Sequence, residues 1–419
     1  MRAVPGGTPR AGRARRPGQQ VSRTSPEASP VAPGAVPLGR ASTGPAPSPV
    51  AGAPPVPAAV APAPGSASSP RTGPMAVLRP VSVRRPVGVA LCALAGAVVV
   101  GVSVGPADVS LPTVLRILLS HVPVLHYRSG ANPVSASIVW EIRLPRVVLG
   151  GIVGAMLAGG GAAYQGVFRN PLADPYLLGV AAGAGLGATV VLVSGPRLSE
   201  LLPPAAFVGA VAAVTLTYAV GSRVGRHGAT ASIVLAGVAV AALLTAVQTY
   251  LQQQHSQDLQ VVYGWILGQL TTANWSDVVL VLPYAAVSAL ALLVHRRLLD
   301  VLRLGQDEAD SLGVRTSRVR LAVVAAATLG TAAAVAVSGL IGFVGIIVPH
   351  TVRLSTNSSY RVVVPVSMIG GAAFLILADV AARTVQAPGE IPIGVVTAFV
   401  GAPFFLFVLR SRRAGKSVS

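Results

Sequence analysis

The chain has 419 residues, 52% of them hydrophobic and only 11% charged, with a mean hydropathy of +0.67, values that belong to polytopic membrane proteins. The formal net charge of +19 does not point to nucleic acid, because the arginines crowd the N-terminal tail and certain loops instead of interleaving with aromatics on one soluble face. Cys92 is the only cysteine, which excludes an intrachain disulfide framework and a Cys-based metal site.

Residues 1–80 are rich in Pro, Ala, Gly, Ser and Arg, with Glu27 the sole acid. Such a stretch cannot bury a core and is expected to be a disordered, basic cytoplasmic tail, either inert or lying on anionic lipid. Met75 opens MAVLRPVSVRRP, a segment like the usual beginning of an inner-membrane protein. Crossing a bilayer takes about 20 mostly apolar residues. Ten such stretches follow, near 86–105, 144–166, 176–194, 202–221, 230–251, 276–295, 319–337, 339–354, 361–382 and 391–409. The expectation is an all-α, polytopic membrane protein with about ten transmembrane helices.

An internal N-terminus with alternating spans gives the inside loops Arg169, Arg223, Arg226, Arg296, Arg297, Arg303, Arg315, Arg318, Arg320, Arg353 and Arg361. The outside receives only Arg116, Arg128, Arg143, Arg146, Arg197 and Arg383. That asymmetry predicts both termini in the cytoplasm, in the inner membrane of the cell. Small residues at four-residue spacing, Gly150 with Gly154 and Gly179, Gly183 and Gly187, suit close helix packing in lipid.

Three polar features stand out. The run His295–Arg320, HRRLLDVLRLGQDEADSLGVRTSRVR, gathers Asp300, Asp307, Glu308 and Asp310 from a chain with only 13 acids. Its leucines and its two glycines, Gly305 and Gly313, predict two short amphipathic helices at about 296–318, lying on the cytoplasmic membrane surface and offered to a soluble partner. Arg143 and Arg146 begin the second span on its outer side and share one helical face, open either to carboxylates or to lipid headgroups. Asp379 and Arg383, four apart near the outer end of the ninth span, read as a local ion pair, with proton relay as the alternative. His350 follows Pro349 at a helix end and suits a hydrogen bond there better than a metal ligand. Gly415-Lys416-Ser417 lacks the preceding glycine of a phosphate loop, since position 410 is arginine. Neither a metal site, a cofactor nor ATP hydrolysis is expected of this chain.

The run RLPRVVLGGIVGAMLAGGGAAYQGVFRNPLADPYLLGVAAGAGLGA at 143–188, GLIGFVGIIVPHTVRL at 339–354, EIPIGVVTAFVGAPFFLFVLR at 390–410 and LGQDEADSLGV at 304–314 together resemble the FecCD-type permease family. Its members are the membrane subunits of ATP-binding-cassette importers for ferric siderophores, haem and vitamin B12. The similarity runs from about 84 to 412, leaving 413–419 as a cytoplasmic tail, and implies a fold like that of the vitamin B12 importer permease. It implies ferric siderophore as cargo, with haem and cobalamin as alternatives, and a second permease chain, identical or homologous. It further implies an ABC ATPase docked at Leu304, Gly305, Ala309, Leu312 and Gly313. An extracytoplasmic binding protein would be held by Arg143, Arg146 and Arg383, with a cytoplasmic gate at Asn170, Leu172 and Thr230. The docking segment departs from the family pattern: Gln306 and Asp307 replace two glutamates, and Asp310 stands where arginine is common. A secondary transporter, with proton coupling as one option, is the competing class, and a membrane enzyme the third.

Overall fold

The computed structural model describes residues 83–122, 130–224, 229–356 and 358–414. The N-terminal tail, most of the C-terminal tail and the Gly415-Lys416-Ser417 run lie outside them. The described residues form helices and connecting turns. In chain order these are α1 (Arg84–Ser103), α2 (Leu111–Ser120), α3 (Pro133–Ser137), α4 (Leu144–Val167), α5 (Val180–Val193), α6 (Leu202–Val224) and α7 (Ala229–Gln254). There follow α8 (Leu259–Ile266), α9 (Trp275–Leu302), α10 (Gln306–Ser311), α11 (Thr316–Ser338), α12 (Val344–Ser355), α13 (Tyr360–Thr384) and α14 (Ile393–Ala414).

Ten of these helices, α1, α4, α5, α6, α7, α9, α11, α12, α13 and α14, occupy the ten expected apolar stretches. Seven helices among the described residues are long and apolar enough to cross a membrane. Helix α4 is central, with α9, α11, α12 and α13 packed around it and most of its residues buried. Glycine pairs allow close backbone approaches between helices. A Cβ on Gly154 would strike the carbonyl of Gly371 on α13, and one on Gly183 would strike that of Gly209 on α6. Lipid gives no hydrophobic drive between helices, so such backbone contact supplies the packing that holds them.

The stretch expected as a span at 339–354 is only half helical. Gly339 and Phe343 both adopt φ +67°, and the helix starts at Val344, leaving the 12 residues of α12. Non-helical backbone at membrane depth survives where protein satisfies it. Tyr176 does so here: its hydroxyl donates to Ile341 O and accepts from Ile341 N, both at 3.0 Å.

Pro145, on α4, removes an amide and would press its ring on the carbonyl four residues back. The chain answers with a π-helical turn over Ile138–Arg143, whose wider repeat admits the ring while α3 and α4 continue as one span. Opposite, Asn274 and Asp277 form a reciprocal capping box at the start of α9.

Antiparallel packing gives the body two ends. One carries the start of α4 and the end of α13. The other carries Arg84 and the C-terminal end of α14, together with α10.

Candidate functional site

At the first end, the π turn and the first residues of α4 turn Arg143 and Arg146 inward. The expectation that both are exposed is not met: Arg143 is 3% and Arg146 6% exposed, and Arg383 only 2%. Loops after α1 and α13 close over them, which apolar spacing cannot reveal. Arg143 donates to Val102 O at 3.0 Å and Ser103 O at 2.7 Å, and also to Ala107 O. It thereby satisfies carbonyls that end α1 without helical partners.

Arg146 holds two carboxylates. Its Nε and Nη2 donate to Asp379 Oδ1 at 2.9 and 2.8 Å. Its Nη1 and Nη2 donate to Glu390 Oε1 and Oε2, both at 2.9 Å. Arg383 lies 3.4 Å from Asp379 Oδ2 and donates to Gly101 O. The expected Asp379–Arg383 pair is therefore one side of a larger clasp in which Arg146 makes the closer contact. Thr271 completes it, donating to Glu390 Oε2 at 3.0 Å. The hydrogen bonds from Arg146 hold the Glu390 carboxyl below its ordinary value of about 4.5, against the opposing effect of burial. Apolar spacing marks neither Glu390 nor Thr271. Glu390 stands at the head of the EIPIG run, and an acid just ahead of an apolar stretch is the signal the sequence offers.

At the other end, Asn170 and Leu172 share one loop. Asn170 Oδ1 accepts from Leu172 N at 3.0 Å, an Asx turn that presents Leu172 at an exposed tip. Thr230 is the second residue of α7, on a different element. Asp174, two residues on from Leu172, accepts from Tyr176 N at 2.8 Å. Burial pushes the Asp174 carboxyl up to about 6, with that hydrogen bond opposing.

The charged run around α10 differs from its expected form. Only one short helix stands there, because His295–Leu302 is the end of α9. Helix α10 lies between Gly305 at φ +135° and Gly313 at φ +76°, positions where a side chain would be strained. Ala309 and Gly305 are buried, while Leu304 and Leu312 are 60% and 62% exposed. Two acids of the run are structural. Asp300 accepts from Ser359 Oγ at 2.6 Å and Tyr360 N at 2.7 Å, tying α9 to the start of α13. Asp310 accepts from Thr316 Oγ1 at 3.2 Å, at the start of α11.

A membrane body closed at one end by an arginine–carboxylate clasp, and carrying a glycine-bounded helix with exposed leucines at the other, has the construction of a transport subunit. The chain belongs to the FecCD transport family, whose profile matches residues 93–411. It is 44% identical to the cobalamin import system permease protein BtuC of Halobacterium salinarum, over 68% of this chain and 76% of that one. Identity to the hemin transport system permease protein HmuU of Yersinia pestis is 39%, over 70% and 90%. Identity to the iron(3+)-hydroxamate import system permease protein FhuB of Bacillus subtilis is 35%, over 78% and 83%. A solved ABC transporter assigned to the metal-chelate type, in an inward-facing conformation, superposes with a TM-score of 0.69 at 27% identity, covering 78% of this chain and 99% of that one. The chain is thus a multi-pass membrane protein of an ABC permease family.

Proposed function

We propose that this chain is the membrane-spanning permease subunit of an ATP-driven importer of a metal chelate. ATP is hydrolysed by a separate ABC subunit, and two permease chains, identical or homologous, enclose the path. The observation that carries the reading is α10, with Leu304 and Leu312 exposed beside two glycines at positive φ. An apolar pair flanking a short, turn-bounded helix suits a cleft on a soluble partner. In this reading α10 and both termini face the cytoplasm, the body sits in the inner membrane, and nucleotide-driven closure of the ATPases shifts α10 and biases the bundle between conformations. The residues 84–412 act as one permease domain, with Asn170, Leu172 and Thr230 at its cytoplasmic gate.

An extracytoplasmic binding protein delivers cargo to the clasp end. Arg143, Arg146 and Arg383 are already engaged, so an incoming carboxylate reaches Arg146 by replacing Glu390, whose side chain is 28% exposed. Ferric siderophore is the cargo expected from the family. The 44% identity to a cobalamin permease favours cobalamin as the second reading. Titrating the cognate binding protein with ferric siderophores, cobalamin and haem decides between them: tight binding of one chelate identifies the cargo, and binding of none contradicts chelate import.

A further inference from the structure

The end that carries α10 holds a second group of arginines, distinct from the clasp. A cavity of about 300 Å³ is lined by Gln165, Arg169, Pro171, Arg303, Arg353 and Tyr360. Three of these six residues are arginine and none is acidic. The cavity lies where α4, α9 and α12 end and α13 begins.

The guanidinium of Arg353 is the telling group. Its Nη1 and Nη2 are both buried and have no hydrogen-bond partner among the described residues. It lies against Tyr360, whose ring centre is 5.6 Å from the guanidinium carbon and whose phenolic oxygen also attracts it, and Arg303 lies over the same ring at 5.8 Å. A ring face and one phenolic oxygen offset part of a cation's lost hydration but leave most of its N–H groups short of acceptors. Buried N–H groups short of acceptors are costly, most of all beside lipid. Asp300, the acid on the adjoining helix, is taken up by Ser359, the Tyr360 amide and Arg361. Arg303 uses one N–H on Ser358 O at 2.6 Å and has others to give. Arg169, exposed at the mouth, follows α4 with φ +50°, a conformation that non-glycine residues rarely adopt.

We propose that this cavity binds a phosphate group. A planar carboxylate offers two oxygens, which a single guanidinium fork matches, whereas a tetrahedral phosphate offers acceptors to several guanidiniums at once. The position at the ends of three membrane helices is the level of lipid headgroups, where basic pockets between helices hold anionic lipid. The phosphate comes either from such a headgroup or from solution. The inference does not depend on which side of the membrane this end faces, nor on the cargo.

The test uses the full chain, purified in neutral detergent and titrated with inorganic phosphate, with sodium chloride matched for ionic strength as the control. Binding is read by calorimetry and by thermal unfolding. Saturable binding is expected, with Kd about tenfold higher in Arg169→Gln and partly restored in Arg353→Lys relative to Arg353→Gln. Arg169 is exposed, so its variant reports even if Arg353→Gln fails to fold. The titration is then repeated in phosphatidylcholine nanodiscs with and without phosphatidylglycerol. If phosphatidylglycerol is retained and abolishes phosphate binding, the source is lipid; if phosphate still binds, the source is solution; both support the site. The proposal is overturned if phosphate binds no better than matched chloride and phosphatidylglycerol is not retained, or if Arg169→Gln binds phosphate as the parent does. It is equally overturned if Arg169→Gln weakens ATPase docking while the parent binds no phosphate, for the arginines would then serve the ATPase's carboxylates.

Discussion

Arg146 on α4 and Asp379 on α13, 233 residues apart, meet at 2.8 Å with both side chains buried. Arg383 approaches the same carboxylate at 3.4 Å. Removing one partner of a buried pair leaves an uncompensated charge, at a cost of about 3–5 kcal/mol. Asp379→Ala leaves buried Arg383 without a carboxylate and Arg146 with Glu390 alone. We expect it to lower stability by about that amount, read as a loss of folded protein on heating in detergent. Replacing Asp379 and Arg146 together with apolar residues should cost less than the sum of the single changes.

Glu390 gives a pH signature. Its carboxyl is held low by Arg146, so the folded state favours the charged form. The stabilisation is complete above the ordinary carboxylate range and is lost as pH falls through the lowered value. Glu390→Gln should therefore melt lower than the parent at pH 7, by about 1–2 kcal/mol, with the difference closing on acidification below about 4. The same variant removes the carboxylate that competes for Arg146. Binding-protein affinity should rise several-fold in Glu390→Gln and fall in Arg146→Glu, most clearly at low salt. Unchanged affinity in both would remove the exchange of carboxylates from the account.

Asp174 has the opposite sign. Burial raises its carboxyl to about 6, above an unfolded value of about 3.9. The folded state binds the extra proton, so stability falls as pH rises from about 4 through 6. Asp174→Asn keeps an oxygen for the Tyr176 amide and cannot ionise. It should gain about 1–2 kcal/mol over the parent above pH 7 and match it near pH 4, as thermal melts across that range would show.

Much of this architecture was legible because apolar length is a strong signal. All ten expected stretches hold a helix, and the glycine spacing at Gly183 marks a true backbone contact. The unread parts depend on distant chain segments. Spacing at the start of the second span places Arg143 and Arg146 on one face but cannot tell that loops from α1 and α13 close over it. Glu390 joins Arg146 across 244 residues. The break at Gly339–Phe343 draws on a distant side chain, since Tyr176 satisfies Ile341. The charged run around α10 kept its glycines and lost a helix, since α9 continues through Leu302 where charge density suggested an ending.

Helix α10 makes a prediction about coupling. Gly313 has open space around a potential Cβ but a φ of +76°, so Gly313→Leu costs only backbone strain, about 1–2 kcal/mol. At Gly305 a side chain would also meet the Glu308 carboxylate. Both variants should remain in the membrane while stimulation of the ATPase and cargo uptake are lost. Normal uptake in Gly305→Leu and Gly313→Leu would remove α10 as the coupling element.

The most direct measurement of transport is uptake into proteoliposomes holding this chain with its ABC ATPase, loaded binding protein outside and ATP within. The account predicts chelate accumulation that requires ATP, the ATPase and the binding protein, and that ignores a pH gradient. Accumulation driven by a proton gradient in liposomes holding this chain alone would contradict it, and would make the protein a secondary transporter.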